Sequence, residues 1–254
     1  MKLLKAMAIA FSIYSKIPVP QFEWKEEDME YMMSFFPWIG GVIGLFFFGW
    51  AVLCEKFAVG NVCYALIGSA IPLMISGGFH VDGYMDTMDA FHSYQSREKK
   101  LEILKDSHIG AFAAIMLALY YMIDIAAISE IHTQKAVSAV AAVFFLARCF
   151  SGIAVMTLQP AKKEGLLYTF ASSAQKVRVK AALYFQTVLC VVLMLLVSGW
   201  YGAAAIGAAL LSFFYFKKKS YKELGGITGD TAGFFVTVCE AAAAAAVAVA
   251  GYFL

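Results

Sequence analysis

The sequence predicts an all-α integral membrane protein, a polytopic helical bundle of about seven transmembrane helices preceded by an N-terminal interfacial or re-entrant helix. Of its 254 residues, 61% are hydrophobic and only 15% are charged, whereas a soluble domain carries about 25% charged residues. The mean hydropathy is +0.73. The chain contains no internal repeat, linker or soluble segment, so residues 1–254 are predicted to form a single transmembrane domain.

The N-terminal segment, Met1 to Ala10, has two lysines and a short apolar stretch. Polar residues from Ser12 to Lys16 interrupt this stretch, and no small-residue cleavage signal follows, which argues against a signal peptide. A helix that lies in the interface or re-enters it, and ends at Pro18 and Pro20, fits these residues better.

Apolar segments long enough to cross the membrane follow. A bilayer core of about 30 Å needs roughly 20 apolar helical residues. Seven segments approach that length, with six or eight spans as alternatives: 33–53, 62–79, 110–129, 136–158, 181–199, 201–216 and 233–254. The five cysteines are scattered without a CxxC pair, which indicates small buried side chains and neither a disulfide framework nor a zinc site.

The basic residues predict the orientation, because lysine and arginine favour the cytoplasmic side. With the N-terminus inside, 17 of the 20 basic residues fall on that side. They are Lys2, Lys5, Lys16, Lys25, Arg97, Lys99, Lys100, Lys105, Lys162, Lys163, Lys176, Arg178, Lys180, Lys217, Lys218, Lys219 and Lys222. The same topology brings all the polar motifs described below to one membrane surface.

The most informative segment is Gly77–Ala90, which leaves an apolar span and carries three aspartates behind His80. Asp82, Asp86 and Asp89 are spaced i, i+4, i+7, so on a helix they share one face. Carboxylates at mid-bilayer depth cost about 3 kcal/mol each, and a hard divalent cation with oxygen ligands would offset that cost. We expect a metal site here that acts on a phosphorylated substrate. The alternative is a solvated helix start.

The segment 97–112 carries cations and then Lys105, Asp106 and Ser107. It is either an ordinary positive loop or a phosphate-binding segment, with Lys105 as a clamp and Asp106 as a further metal or hydroxyl ligand.

The segment 225–233 is rich in glycine and precedes the last span. Glycines allow backbone N–H groups to approach an anion, and Thr228, Asp230 and Thr231 offer oxygens at a helix start. A binding role is favoured over a flexible turn.

Two charges, Arg148 and Glu240, lie within predicted spans. Since charges are costly in lipid, we expect both to face the bundle interior, at a polar ligand cavity. Asp124 is predicted to be a structural partner or a snorkelling group.

With these residues in place, the chain resembles cobalamin synthase, the adenosylcobinamide-GDP ribazoletransferase family. The resemblance covers essentially the whole chain in collinear order. It is carried by 17–20, 37–41, 80–90, 104–110, 147–148 and 225–230. The patterns HxDGxxDTxDA and GGxTGD are together highly specific. His108 departs from the family where arginine is expected, and Phe79 and Tyr84 replace smaller aliphatic residues.

The resemblance implies a Mg²⁺-dependent transferase that joins adenosylcobinamide-GDP to α-ribazole, or its 5′-phosphate, and releases GMP. It implies a multi-pass protein of the bacterial cytoplasmic (inner) membrane with its active site facing the cytoplasm. The expected metal ligands are Asp82, Asp86, Asp89 and Asp230, and the expected catalytic residues are Asp89, His80, Lys105 and Asp106. The expected substrate-binding residues are Arg97, Ser107, His108, Arg148, Gly225, Gly226, Thr228 and Gly229.

Two other classes of function stay open at this point. A CDP-alcohol phosphotransferase also uses an Asp-rich helix at the membrane surface, but its DGxxAR motif has no counterpart after Asp82-Gly83. A cation transporter would place acids near mid-membrane on broken helices. The expected partners are the two small-molecule substrates and the lipid bilayer, not nucleic acid. A homo-oligomer or a complex with other cobalamin-pathway enzymes is a further expectation.

Overall fold

The computed structural model is a bundle of α-helices, and it describes residues 2–20, 23, 25–162 and 175–253. Two 3-10 helices, Glu26–Met29 and Met32–Ser34, lead from the N-terminal helix into the bundle. The α-helices are α1 Lys2–Tyr14, α2 Phe36–Lys56, α3 Asn61–Ser76, α4 Phe79–His92, α5 Arg97–Ile103, α6 Ala111–Ile128, α7 Gln134–Thr157, α8 Lys176–Ser198, α9 Trp200–Leu224 and α10 Gly229–Gly251. The described residues form no strand, only an isolated parallel bridge between Pro160 and Ile227, so the all-α prediction is confirmed.

Each of the seven predicted apolar segments folds as a helix, but a count of seven spans is not confirmed. Within the described residues, five helices are long and apolar enough to cross a membrane: α2, α6, α7, α8 and α10. The number rises to six if α3 and α4, which meet at a bend of 97°, form one broken span. Helix α3 has 16 residues, fewer than the roughly 20 that a bilayer core requires.

Helices α7 and α10 form the centre of the bundle. In their most apolar stretches, 78% and 72% of the residues are buried, against 22% in both α6 and α8. Helices α6 and α8 therefore turn most of their apolar side chains outward, as expected where lipid replaces a protein neighbour.

Helix α2 packs closely against α7 through two glycines. A Cβ atom at Gly40 would overlap the backbone of Phe144, and one at Gly44 would overlap the backbone of Ala141. Small residues four apart allow helix backbones to approach in this way, as is common in membrane bundles. The contact explains the glycine at position 40 of the Pro37–Gly41 segment.

The two charges within the spans pair with each other. Arg148 is 1% exposed, and its Nη1 donates to Glu240 Oε1 at 2.6 Å and to the Phe144 carbonyl at 2.7 Å. Asp124 is also buried. Pairing reduces the cost of burying each charge, and both Arg148 and Glu240 face the interior of the bundle.

The N-terminal helix forms as predicted over Lys2–Tyr14 and buries Ile9, Ala10 and Tyr14 in the core. Its interfacial or re-entrant placement stays a prediction, as does the orientation of the bundle. Lys163, one of the basic residues that support the orientation, lies outside the described residues. The five cysteines form no disulfide, and all except Cys63 are buried.

Candidate active site

Two consecutive glycines set the direction of the Asp-rich helix. Gly77 and Gly78 have φ angles of +68° and +86°, in the left-handed region that only glycine adopts at little cost. They form the bend between α3 and α4, and the side chain of Lys16 packs where a Cβ of Gly77 would lie. The turn carries the chain out of α3 and starts α4 with His80 and Asp82 in its first turn.

The three aspartates of α4 lie on one face of that helix, and a fourth acid, Asp230 of α10, lies near them. Asp82 is exposed, whereas Asp86 and Asp89 are half-buried. The carboxylates of Asp82, Asp89 and Asp230 all interact electrostatically with Asp86. Like charges so placed repel one another.

Glycines bring α4 and α10 into backbone contact at this point. A Cβ atom on Gly83 would lie 2.8 Å from the carbonyl oxygen of Asp230 and 2.9 Å from its Cα. A Cβ atom on Gly233 would lie 3.0 Å from the carbonyl oxygen of His80. Each helix therefore has no side chain where the other passes, and the start of α10 lies directly against the Asp-rich face of α4.

The threonines of the glycine-rich segment cap α10. The Thr228 Oγ1 accepts the Thr231 N–H at 3.1 Å, and the Thr231 Oγ1 accepts the Thr228 N–H at 2.8 Å. This reciprocal arrangement is a capping box. The Thr228 hydroxyl also donates to Asp230 Oδ2 at 3.4 Å, and no atom lies within 4 Å of the position of a Cβ on Gly229.

A short parallel pairing fixes the segment before α10. The Ile227 N–H donates to the Gln159 carbonyl at 2.9 Å, and the Ala161 N–H donates to the Ile227 carbonyl at 2.8 Å. A Cβ on Gly226 would lie 2.6 Å from that Gln159 oxygen, so the pairing requires glycine there. The pairing places Lys162, whose charge acts on Asp230, beside the start of α10.

A cavity of about 520 Å³ opens between these elements. Six of the predicted site residues line it: His80, Asp82, Lys105, Thr228, Gly229 and Asp230. Its other lining residues include Tyr14, Phe36, Phe79, Ser151 and Lys162. The cavity is thus lined by carboxylates, lysines, aromatic rings and the capped start of a helix. Its volume lies within the range of about 300–1,000 Å³ that small-molecule sites occupy.

Other predicted site residues lie outside the lining of this cavity. Arg97 is exposed on α5, and its guanidinium packs against Gly225. Arg148 is paired with Glu240 inside the bundle. Asp89 is directed to the start of α6, where its Oδ2 accepts the Gly110 N–H at 2.7 Å and its Oδ1 accepts the Ala113 N–H at 2.9 Å.

Asp106, Ser107 and His108 form an exposed turn before α6. The Asp106 Oδ1 lies 2.6 Å from His108 Nδ1 and accepts the His108 backbone N–H at 3.0 Å. These hydrogen bonds lower the pKa of Asp106 below its ordinary value of 3.8. The side-chain bond to Asp106 also raises the pKa of His108 above its ordinary value of 6.5.

The described residues contain no group of three or more His, Cys, Asp or Glu side chains placed to hold a metal ion. Asp82, Asp86 and Asp230 are electrostatic neighbours but do not form a closed set of ligands. Mg²⁺ commonly takes one or two protein carboxylates and completes its shell with water and substrate phosphates. The arrangement fits such an open site, and it does not fit an all-protein cage.

Sequence reasoning missed the aromatic part of the cavity. The sequence placed Tyr14 among the polar residues that interrupt the N-terminal apolar stretch, Phe79 as a departure from the family pattern, and Phe36 in an apolar span. Only the packing of α1 against α2 and the start of α4 brings the three rings together. Lys162 counted as one of many cations, because the pairing of residues 159–161 with Ile227 has no pattern in the sequence.

Comparison with known proteins supports one family. A family model described as cobalamin-5-phosphate synthase matches residues 6–248. A relative from Lachnoclostridium phytofermentans, named adenosylcobinamide-GDP ribazoletransferase, is 44% identical over 250 residues, which cover 98% of this chain and 95% of the relative.

Two relatives from Clostridium botulinum strains carry the same name. They are 30% and 33% identical over 242 residues, which cover 94% of this chain and 94% of each relative. No solved structure matches the chain significantly.

Proposed function

This chain belongs to the cobalamin-5-phosphate synthase family, and we propose that it acts as an adenosylcobinamide-GDP ribazoletransferase. The donor would be adenosylcobinamide-GDP and the acceptor α-ribazole or its 5′-phosphate. The products would be adenosylcobalamin, or its 5′-phosphate, and GMP. The relatives that carry this activity in their names align over nearly the full chain, so the two substrates are the natural candidates here.

The observation that carries the proposal is the mixed lining of the cavity. Asp82 and Asp230 lie on two helices held in backbone contact, and Lys105 and Lys162 line the same space. A pyrophosphate is bound by cations and positive side chains that neutralise the charge on its oxygens. A second cavity of about 530 Å³ shares Phe79 and Asp82 with the first, which suits an enzyme that holds two substrates.

We propose Mg²⁺ as the metal, held by Asp82, Asp86 and Asp230. When bound, it would neutralise charge on the pyrophosphate and on the departing GMP. The half-buried Asp86, on which three other carboxylates act, is the residue that most needs a cation.

The proposed reaction is a single phosphoryl transfer. A hydroxyl oxygen of α-ribazole forms a bond to the phosphorus nearer cobinamide, and the bond from that phosphorus to the oxygen of GMP breaks. Lys105 and Lys162 orient and neutralise the phosphates from the cavity wall, and Arg97 adds positive charge beside Gly225. The capped start of α10 offers backbone N–H groups to a phosphate oxygen.

The hydroxyl proton passes to a carboxylate. The sequence-based assignment of this role to Asp89, or else to His80, stays a prediction. Both oxygens of Asp89 accept backbone N–H groups at the start of α6, so Asp89 would have to release one of these bonds to accept the proton.

The test is GMP release by the purified protein in detergent, with adenosylcobinamide-GDP, α-ribazole 5′-phosphate and either Mg²⁺ or EDTA. We expect Mg²⁺-dependent formation of GMP and of cobalamin phosphate, lost in Asp82→Asn and retained in Glu102→Gln, a matched change at an exposed acid of α5. Folded wild-type protein that is inactive here, but turns over CDP-diacylglycerol or conducts ions without nucleotide, would overturn the proposal.

The orientation has its own test. We propose that the protein lies in the bacterial inner membrane with the active site and the N-terminus in the cytoplasm. In whole cells, a membrane-impermeant thiol reagent should label Lys135→Cys, at the start of α7, in a cysteine-free background. Gln95→Cys, in the exposed turn after α4, should react only after lysis. The reverse pattern contradicts the orientation.

A further inference from the structure

The Asp-rich helix α4 separates two cavities. His80 and Gly83 line the first, Val81 and Met85 line the second, and Asp82 lines both. On a helix, positions 80 and 83 lie on a different face from positions 81 and 85. The two cavities therefore lie along different faces of α4, with Asp82 between them.

The second cavity lies between the end of α1, the bend after α3, α4 and α6. Its walls on α3 and α6 are mostly apolar and include Leu73 and Leu117, whereas Ser12 and Lys16 line it near the end of α1. Its volume of about 530 Å³ lies within the range that small-molecule sites occupy. The cavity thus combines an apolar part, a hydroxylated and cationic part, and the carboxylate that it shares with the first cavity.

Lys16 is held at this cavity by the bend between α3 and α4. Its backbone N–H donates to the Ile75 carbonyl at 2.8 Å, and its side-chain carbons lie where a Cβ atom of Gly77 would be. No acid among the described residues forms an ion pair with Lys16. Its ammonium group is therefore available to an anionic ligand of the second cavity.

The geometry of phosphoryl transfer requires two approaches to one phosphorus. The attacking oxygen and the leaving oxygen lie roughly in line, on opposite sides of the phosphorus. The acceptor and the departing GMP therefore occupy different spaces around the reacting phosphate. Two cavities on different faces of α4, with Asp82 common to both, provide such an arrangement.

The positive groups of the two cavities differ in number. Lys105, Lys162 and the capped start of α10 line the first, which suits the several charged oxygens of a pyrophosphate. The second has one cation, Lys16, which suits a single phosphate. The donor carries the pyrophosphate, so this difference assigns the donor to the first cavity.

We propose that the second cavity holds the acceptor, with the acceptor phosphate bound to Lys16 and the attacking hydroxyl at the Asp82 end of the cavity. This inference rests on the proposed function and adds the place of the acceptor and the residue that recognises its phosphate. The contact is a charge-assisted hydrogen bond, which is stronger than a neutral one. The protein should therefore bind α-ribazole 5′-phosphate more tightly than α-ribazole.

A phospholipid headgroup is another source of a phosphate at Lys16, because the apolar walls of the cavity lie in a membrane protein. The shared carboxylate favours the acceptor. Asp82 can accept a hydrogen bond from a substrate hydroxyl, whereas it would repel the phosphate of a lipid that entered the cavity further. The experiments below separate the two sources.

The first test measures acceptor binding by calorimetry in dodecyl maltoside, a detergent without phosphate, and without donor, so that no turnover occurs. Wild-type protein should bind α-ribazole 5′-phosphate about tenfold more tightly than α-ribazole. Lys16→Met keeps an unbranched chain against Gly77 and removes the charge. It should bind the two acceptors equally, with the Kd for α-ribazole unchanged.

Two further variants serve as controls for the charge. Lys16→Arg keeps a cation and should retain the preference for the phosphorylated acceptor. Lys25→Met removes an exposed lysine that lines neither cavity, and it should bind both acceptors as the wild type does. Lys105→Met removes a cation of the first cavity, so it should raise the KM for adenosylcobinamide-GDP and leave the acceptor preference intact.

A second test blocks the cavity without touching Lys16. Ser12 is exposed on α1 and lines the second cavity, so Ser12→Trp should fill part of that space. We expect the Kd values for both acceptors to rise by the same factor and the KM for the donor to stay unchanged. The matched control is Leu4→Trp, at an exposed position of the same helix outside the lining.

Three results would overturn the inference. The first is equal binding of the two acceptors by the wild type, and the second is a folded Lys16→Met that keeps the preference. The third is displacement of α-ribazole 5′-phosphate by short-chain phosphatidylglycerol from the wild type but not from Lys16→Met, which would assign Lys16 to a lipid. GMP release by the wild type would leave the proposed function standing in each case. Wild-type protein that neither releases GMP nor binds either acceptor would remove both.

Discussion

Asp89 holds Gly110 at the start of α6. The Asp89 Oδ2 accepts the Gly110 N–H at 2.7 Å, and its Oδ1 accepts the Ala113 N–H at 2.9 Å. A carboxylate at a helix N-terminus satisfies N–H groups that have no partner within the helix and complements the helix dipole. Asp89 thus ties α4 to α6, and this contact also fixes the end of the segment that carries Lys105.

Gly110→Ala should break this contact. The new Cβ would lie 2.5 Å from Asp89 Oδ1, so the carboxylate must move and give up its bonds to α6. We expect a loss of stability of about 2 kcal/mol and reduced GMP release. Thermal unfolding in detergent and the GMP assay measure the two effects.

The control for this change is Gly207→Ala in α9, where no atom lies within 4 Å of the added Cβ. It should leave Tm unchanged or slightly higher, because alanine favours a helix more than glycine does. Equal Tm values for the two alanine variants would contradict the proposed role of the Asp89 contact.

Gly83→Ala should separate α4 from α10. Its Cβ would meet the backbone of Asp230 at 2.8 Å, and backbone atoms cannot rotate away as a side chain can. A shift of about 1 Å between catalytic groups can lower a rate about 100-fold, so we expect kcat to fall by about that factor.

The amount of Gly83→Ala in the membrane fraction and its Tm in detergent should be followed alongside kcat. A folded variant with the kcat of the wild type would show that the close approach of the two helices is not needed for the reaction.

Arg148→Met should destabilise the bundle by about 3–5 kcal/mol, because it leaves Glu240 buried without its cation. The double variant Arg148→Met, Glu240→Met removes both charges and should recover most of that loss, since apolar replacement of a buried pair is often neutral. Thermal unfolding of the two single variants and of the double variant measures the coupling. Additive losses would show that the pair at 2.6 Å does not couple these helices.

Lys100→Met should reduce stability through Glu223. Lys100 is buried and forms an ion pair with Glu223, which also bonds Lys219 at 3.1 Å. The bond to Lys100 is the main reason that the pKa of Glu223 lies below its ordinary 4.5. The stabilisation is therefore present above pH 4.5 and is lost as the pH falls through the lowered pKa of the folded state.

We expect Lys100→Met to cost about 2 kcal/mol at neutral pH and to weaken the dependence of Tm on pH in the acid range. Lys218→Met, an exposed lysine of the same helix as Lys219, should change neither. A variant with the wild-type acid dependence would show that Lys100 is not the group that lowers the Glu223 pKa.

The sequence predicted that Asp82 and Asp230 come together, because each lies in the first turn of a helix next to an apolar segment. The apolar segments and the basic residues between them predict that Asp82 and Asp230 lie at the same membrane surface, and glycines at 83 and 233 allow the close approach. The helix ends were less predictable. Helix α3 stops at Ser76, since the conformations of Gly77 and Gly78 turn the chain by 97°, and apolar composition alone continues the span to residue 79.

The sequence did not separate Asp89 from Asp82 and Asp86. All three lie on one helix face, and their spacing gives no reason to assign them different roles. What distinguishes Asp89 is the start of α6, 21 residues later, and such a contact depends on how the loop returns. For the same reason, the sequence did not predict that Tyr14 and Lys162 line the cavity, because packing between distant segments places them there.

Asp106→Asn should lower the pKa of His108. The carboxylate of Asp106 accepts from the His108 backbone and lies 2.6 Å from Nδ1, and this contact raises the histidine pKa above 6.5. Because the contact raises the pKa of the imidazole, wild-type His108 stays protonated to a higher pH than His108 of the variant does. Histidine NMR in detergent measures both pKa values directly.

If His108 contributes its charge to donor binding, the KM for adenosylcobinamide-GDP should begin to rise at a lower pH in Asp106→Asn than in the wild type. Superimposable KM profiles, together with a lowered pKa in the variant, would exclude His108 from that role, and the phosphate contacts would then rest on Lys105, Lys162 and Arg97.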